Sequence, residues 1–211
     1  MKRWNREQIA RRAAQDIRPG AYVNLGIGLP TLVGDMIPWE REVFLHSENG
    51  ILHLGPRPPL GQENPDLINA SKQPVTLQPG AAIFDSALSF AMMRGGHLDL
   101  AILGAYEVAE NGDLANWSRG DPNTPPAVGG AMELAFGARE VWVLMEHTTR
   151  DARPRLLHRC TLPLTASGVV SRIYTDLAVM RVTPDGLLVE AMAEGMTLGE
   201  LQALTEARLL A

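Results

Sequence analysis

SFAMMRGGHLDLAILGA, Ser89 to Ala105, sets a helix and a strand on either side of two glycines. Asp85 can cap a helix that runs through Ser89 to Arg94, and Gly95 with Gly96 ends it. Leu98 to Gly104 is then a short apolar run, the pattern of a strand buried on both faces. A helix feeding such a strand is the repeating unit of an α/β protein.

The flanking sequence continues the theme. Residues 5–17 read as a helix, with Asn5 at its cap, Ile9, Ala13 and Ile17 at one-turn spacing, and Pro19 and Gly20 stopping it. Ala21 to Leu25 reads as a strand leading into Gly26-Ile27-Gly28-Leu29-Pro30, where Pro30 suits the first turn of a helix. Glu42 to Leu45 and Val75 to Leu77 are strand-like, and Asn111-Gly112 signals a hairpin within Tyr106 to Trp117. Gly129 and Gly130 precede a helical Ala131 to Phe136, and Val141 to Met145 is another buried strand. Thr197 and Glu200 form a capping box for the last helix. The expectation is one α/β domain over residues 1–211, with a largely parallel or mixed sheet covered by helices, because no stretch is rich enough in Pro, Gly or Ser to act as a linker.

Composition narrows the functional classes. A chain of 211 residues with 45% hydrophobic content can bury a full core. Its net charge of -5, with no basic cluster beyond the N-terminal helix, provides no electrostatic footprint for nucleic acid. The lone Cys160 excludes an internal disulfide, the amphipathic N-terminus lacks a signal peptide's apolar segment, and no apolar run approaches the ~20 residues of a membrane span. These features together point to the cytoplasm.

Ligands in open α/β sheets bind beyond the carboxyl ends of strands. Three glycine-bearing loops fall there: Gly26 to Pro30, the loop containing Gly50 and Gly55, and Gly129-Gly130. The first lacks the third glycine of the dinucleotide fingerprint, which disfavours a Rossmann cofactor site. The second, in HSENGILHLGPRP (His46 to Pro58), carries a single acid, Glu48, at the end of a strand-like run. His46 and His53 flank it without a metal-binding spacing. Cys160, Met92 and Met93 read as core residues, and His147 as structural.

A set of motifs then occurs in one order: SENG with a following GP loop, PDLINA (65–70), the helix-strand unit 89–105, ENGDLANW (110–117), GGAMEL (129–134), MEHT (145–148) and CTLPLT (160–165). From about Val23 to Ala178 the chain closely resembles the B subunit of the family I CoA-transferases, of the 3-oxoacid and 3-oxoadipate type. The resemblance implies the CoA-transferase fold and makes Glu48 the nucleophile. It implies transfer of CoA between an acyl-CoA, such as succinyl-CoA or acetoacetyl-CoA, and a carboxylic acid such as a 3-oxo acid, through a glutamyl-CoA thioester. CoA is then a substrate rather than a resident cofactor, and neither ATP nor a metal is needed. The resemblance also brings Asn49, Gly50, Asn116, Gly129 and Gly130 to the substrate or CoA site, and it implies an A subunit as partner in a heterodimer or A2B2 heterotetramer.

Two departures from the family pattern stand out. His53 occupies a glycine position of the usual G-L-G-x-G-P loop, where a side chain would narrow the acyl pocket, alter the loop or position water. Segment 118–128 lacks the lysines and the I-P-G-K pattern expected there. His53 motivates one alternative, an acyl-CoA thioester hydrolase using the same Glu48. A catalytically silent structural subunit is the other, and the identities of the exchanged acids stay open.

Overall fold

Strands that are covered by helices on both sides call for apolar residues at nearly every position, and residues 100–103 and 141–144, at the centre of the protein, come nearest to that. The computed structural model describes residues 2–120, 123, 126 and 129–211. In chain order these form α1 (Arg6–Asp16), β1 (Tyr22–Leu25), β2 (Phe44–Ser47), β3 (Ile51–Leu54), β4 (Leu77–Ile83), α2 (Ser86–Arg94), β5 (Leu100–Leu103), β6 (Glu107–Ala109) and β7 (Leu114–Ala115). After these come α3 (Ala131–Gly137), β8 (Glu140–Leu144), β9 (Leu156–Leu157), β10 (Val170–Tyr174), β11 (Ala178–Thr183), β12 (Gly186–Met192), α4 (Leu198–Ala203) and β13 (Leu209–Leu210).

The large sheet has the order β13-β12-β11-β10-β8-β5-β1-β2-β3-β4, and its central run from β10 to β2 is parallel. Antiparallel pairs flank that run, β3–β4 at one edge and β11–β12 toward the other, while β7-β6-β9 makes a small second sheet. Alternate residues of the central strands feed two cores. Ala101, Leu103, Val141, Val143 and Ile173 pack toward α2, α3 and α4; Val23, Leu100, Ile102, Trp142, Leu144 and Tyr174 pack toward α1. The mixed α/β expectation holds.

Helix signals held well. Asn5 caps α1 in a capping box with Gln8, Asp85 caps α2 with Gly95 at its end, and Thr197 with Glu200 caps α4. Three expectations need correction. The segment from Pro30 is a 3-10 helix, Leu29–Met36, not an α-helix. The strand expected at Val75–Leu77 begins only at Leu77, because the Val75 and Thr76 N-H groups donate to the loop carbonyls of Leu67 and Pro56. The glycine-proline loop after Glu48 contains a strand, β3, paired with β2 and β4. β4 carries Pro79 and Gly80 within it, which an exposed edge strand tolerates.

From β1 the chain runs to β2 on one side, and α2 returns it to β5 on the other side of β1. This is a topological switch point, where an open sheet leaves a crevice at its carboxyl edge.

His147 shows how the far end of the sheet is held. Its ring lies between the Thr175 and Thr205 hydroxyls, 2.9 and 2.8 Å from Nδ1 and Nε2, and its N-H donates to Asp176 at 2.7 Å. Burial lowers its pKa to about 4, and burial does the same to His46. A histidine kept neutral by the fold stabilises it fully above the unfolded pKa near 6.5, and loses that contribution as pH falls toward 4. Each group contributes about 3 kcal/mol over that window. Thermal melts should therefore show Tm falling steeply between pH 6.5 and 4, and His147→Gln should be less stable at pH 7 but flatter across this range; parallel pH profiles would contradict the assignment.

Candidate active site

Glu48 follows the last residue of β2, and the turn that carries it is tight: the Gly50 N-H donates to the Ser47 carbonyl at 2.9 Å, with Gly50 at φ 108°. A side chain at Gly50 would run into the Phe84 carbonyl, so both the conformation and the space demand glycine. The Asn49 side chain points away, donating to the Ile68 carbonyl at 2.7 Å. Asn49 and Gly50 therefore shape the turn, and neither lines the cleft that Glu48 enters.

Beneath Glu48 sits a buried polar relay. Asn24 on β1 is opposite His46 on β2, and its amide donates to His46 Nδ1 at 2.9 Å and to the His46 carbonyl at 3.2 Å. With Nδ1 accepting, Nε2 carries the proton and donates to Ser89 Oγ of α2 at 3.0 Å. Strands β1 and β2 and helix α2 are thereby locked together two residues before the acid. Asn24 and His46 are site-building residues that motif spacing alone did not mark. The signal was a polar residue inside a strand buried on both faces.

The cleft itself measures about 400 Å³ and lies at the switch point, bounded by the ends of β1 and β5, by Glu48, and by the start of α3. Gly130 caps α3 and approaches so closely that a Cβ there would overlap the Glu48 carboxylate, with the Phe90 ring also in contact. No side chain caps α3, and Gly130 and Ala131 at its start line the cleft. Burial raises the Glu48 pKa, and the Glu133 carboxylate in the first turn of α3 adds to the rise. A partly desolvated carboxylate is a stronger base and nucleophile than one in water.

Asn116 lines the opposite wall. Its amide donates to the Gly104 carbonyl at 3.0 Å and its Oδ1 accepts from Thr165 at 2.6 Å, so the side chain is fixed at the end of β5. Gly129 and Gly130 line the cleft too, with Gly129 at φ 51°. Arg155 braces this edge by donating to the carbonyls of Tyr106 and Ala105 at 2.9 and 2.7 Å. Much of segment 118–128 lies outside the described residues.

His53 is placed elsewhere. It sits at the register shift of β3 with φ 65°, and its ring lies 4.7 Å from that of Phe44, outside the residues lining the cleft. The side chain packs against Phe44 and does not line the cleft. Left-handed backbone costs a non-glycine residue roughly 1 kcal/mol. We expect His53→Ala, which keeps that strain and loses the ring contact with Phe44, to be less stable than His53→Gly by about 1 kcal/mol in urea titrations; equal stabilities would remove the strain argument. Cys160 is only half-buried rather than core, with its thiol pushed up to about 12 by burial and by the Glu107 and Asp113 carboxylates.

An open mixed sheet with a partly desolvated carboxylate at its switch point, pressed against a glycine at a helix start, makes this a mixed α/β protein with a cleft beyond the carboxyl ends of its parallel strands. The chain belongs to the coenzyme A transferase family, whose model matches residues 6–203. It is 56% identical to the B subunit of the 3-oxoadipate CoA-transferase of Pseudomonas putida, over 97% of this chain and 95% of that one. It is 48% identical to the B subunit of the succinyl-CoA:3-ketoacid coenzyme A transferase of Helicobacter pylori, over 96% and 97%. Among solved structures, the acyl-CoA transferase YdiF of Escherichia coli O157:H7 superposes with a TM-score of 0.75 at 20% identity, covering 99% of this chain and 43% of that longer one. No helix among the described residues is long and apolar enough to cross a membrane.

Proposed function

We propose that this chain, as one unit over residues 1–211, is the B subunit of a cytoplasmic 3-oxoacid-type CoA-transferase that works through Glu48. The observation that carries the proposal is the desolvated Glu48 carboxylate at the switch point, held against Gly130. The carboxylate attacks the thioester carbonyl of an acyl-CoA, forming a mixed anhydride and releasing CoA thiolate. The thiolate attacks the glutamyl carbonyl, leaving a glutamyl-CoA thioester and freeing the donor acid. An acceptor carboxylate runs the same steps in reverse, so the thioester bond energy is conserved. Negative charge develops on a carbonyl oxygen in each step, and the uncapped N-H groups of α3 are donors suited to it.

An A subunit completes the proposed enzyme. Ile83, Leu88, Met132 and Phe136 are large apolar side chains left exposed at the end of β4 and on α2 and α3, the elements framing Glu48. An apolar surface of this kind beside a reactive group fits a partner that covers it. Transfer is preferred to the hydrolase alternative, since His53 tilts against Phe44 and is not among the residues lining the cleft.

The test is direct. Mixed with its A subunit and given acyl-CoA without acceptor, the enzyme should accumulate a thioester that borohydride reduces to an alcohol at position 48 alone. The lone chain should show no turnover. Reduction at no residue between His46 and Pro58, or robust transfer by the lone chain, would overturn the proposal.

A further inference from the structure

A second, smaller cavity of about 130 Å³ lies beside the Glu48 cleft, between the 3-10 helix Leu29–Met36, the carboxyl end of β2 and the segment 54–75. The two spaces share Leu25 and Ala70, and Ser47, which lines the smaller one, directly precedes Glu48, which lines the larger. The smaller cavity is too small for a nucleotide, but it suits an acyl chain of a few carbons. Leu32, Leu45, Leu54 and Val75 line it together with the polar Thr31, Ser47, Asn69 and Gln73.

Arg57, an exposed residue, lines this cavity and makes no ion pair among the described residues. Asp35 lines the same cavity and is not within pairing distance of it. A guanidinium lining a hollow of mixed polar and apolar character is suited to receive a carboxylate through two parallel hydrogen bonds. A monocarboxylic acyl group reacting at Glu48 would present no such charge. A dicarboxylic one, esterified at one end, presents it a short chain away from the reacting carbonyl.

We propose that this cavity is the acyl-tail subsite and that Arg57 receives the far carboxylate of a dicarboxylic acyl group, making it the residue that selects dicarboxylic over monocarboxylic substrates. The inference rests on the CoA-transfer function proposed above. Asp35 opposes the incoming charge and sets how strong the selection is.

The experiment uses the enzyme assembled with its A subunit and compares succinate and 3-oxoadipate with acetoacetate and butyrate as acceptors. Arg57→Gln should lower kcat/KM for the dicarboxylic acids by about 10- to 100-fold, the range for losing a charged hydrogen bond. The loss should lie in KM, with monocarboxylic acids changed less than about twofold on the same scale of free energy. Arg57→Lys should restore part of the preference, and Asp35→Asn should strengthen it. Equal losses on both acid classes, or no loss on either, would overturn the inference while leaving CoA transfer intact. A wild-type enzyme that transfers CoA to none of these acids would instead overturn the CoA-transfer function, and the inference with it.

Discussion

Replacing Glu48 by glutamine is expected to abolish CoA transfer by on the order of 10⁴-fold or more, the scale on which an enzyme loses its covalent nucleophile. Glutamine preserves the size of the side chain and much of its hydrogen bonding, so the cleft between β1, β5 and α3 keeps its shape. What disappears is the anionic oxygen. The same variant should be no less stable than the parent, which separates lost chemistry from lost fold. Burial and Glu133 raise the Glu48 pKa, so the ionised carboxylate is disfavoured in the folded state. That cost is present above the raised pKa and fades as pH falls through it, because the protonated acid suits the desolvated site. Glu48→Gln should accordingly match or exceed wild-type Tm at neutral pH, with the difference shrinking in acid. Glu48→Asp withdraws the oxygen by about one methylene, and a misplacement near 1 Å costs on the order of 100-fold. Near wild-type transfer by Glu48→Gln would mean that another group forms the covalent bond.

How far the sequence carried the fold depended on whether a local signal was strong enough to survive its surroundings. Helix boundaries were legible because capping is local chemistry: Asn5, Asp85 and Thr197 each accept from a backbone N-H three residues on. Central strands β5 and β8 were legible because burial on both faces leaves them apolar apart from the exposed Glu140 at the start of β8. The edge strands were not. β3 has its register broken at His53, and β4 has a mostly exposed face with Pro79 and Gly80 inside it, so neither carries a period of two. The C-terminal strands β10 to β13 also escaped notice, although Asp185-Gly186 marks the turn joining β11 to β12. The 3-10 helix at Leu29–Met36 has an apolar composition that suits an α-helix, and nothing local distinguishes the two.

The site was legible in a different way. Glu48, Asn116, Gly129 and Gly130 are far apart in the chain, yet all line one cleft, because the switch point draws together the ends of β1, β2 and β5 and the start of α3. Family resemblance supplied these positions, and spacing could not have. Asn49, Gly50 and His53 lie near Glu48 in sequence, but strand geometry turns their side chains or backbone to other tasks. Arg57 gave no signal at all in the sequence. Its position on the cavity wall depends on the long 54–75 segment folding back over β2, which no pattern in that proline-rich stretch announces.

Gly130→Ala should cost transfer about 100-fold while leaving the fold intact, and it tests the contact on which the site turns. Gly130 has φ -89° and ψ 9°, the bridge region, which alanine can occupy without the left-handed backbone that Gly129 requires. Alanine at a compatible position even stabilises by about 0.4–1 kcal/mol through the unfolded chain. The added methyl, however, falls on the Glu48 carboxylate and touches the Phe90 ring. Either the acid or the start of α3 must move, and a shift near 1 Å at the reacting oxygen costs on the order of 100-fold. Gly129→Ala provides the contrast. Its φ of 51° imposes a left-handed strain of roughly 1–2 kcal/mol, but its Cβ meets nothing within 4 Å. The two neighbouring substitutions should therefore separate cleanly, Gly130→Ala in rate with Tm held and Gly129→Ala in Tm. Borohydride labelling of the Gly130→Ala enzyme should still mark position 48, but at a rate reduced in step with turnover. Full activity in Gly130→Ala would mean that the carboxylate reacts from a position well clear of α3, and the desolvation that sharpens Glu48 would need another source.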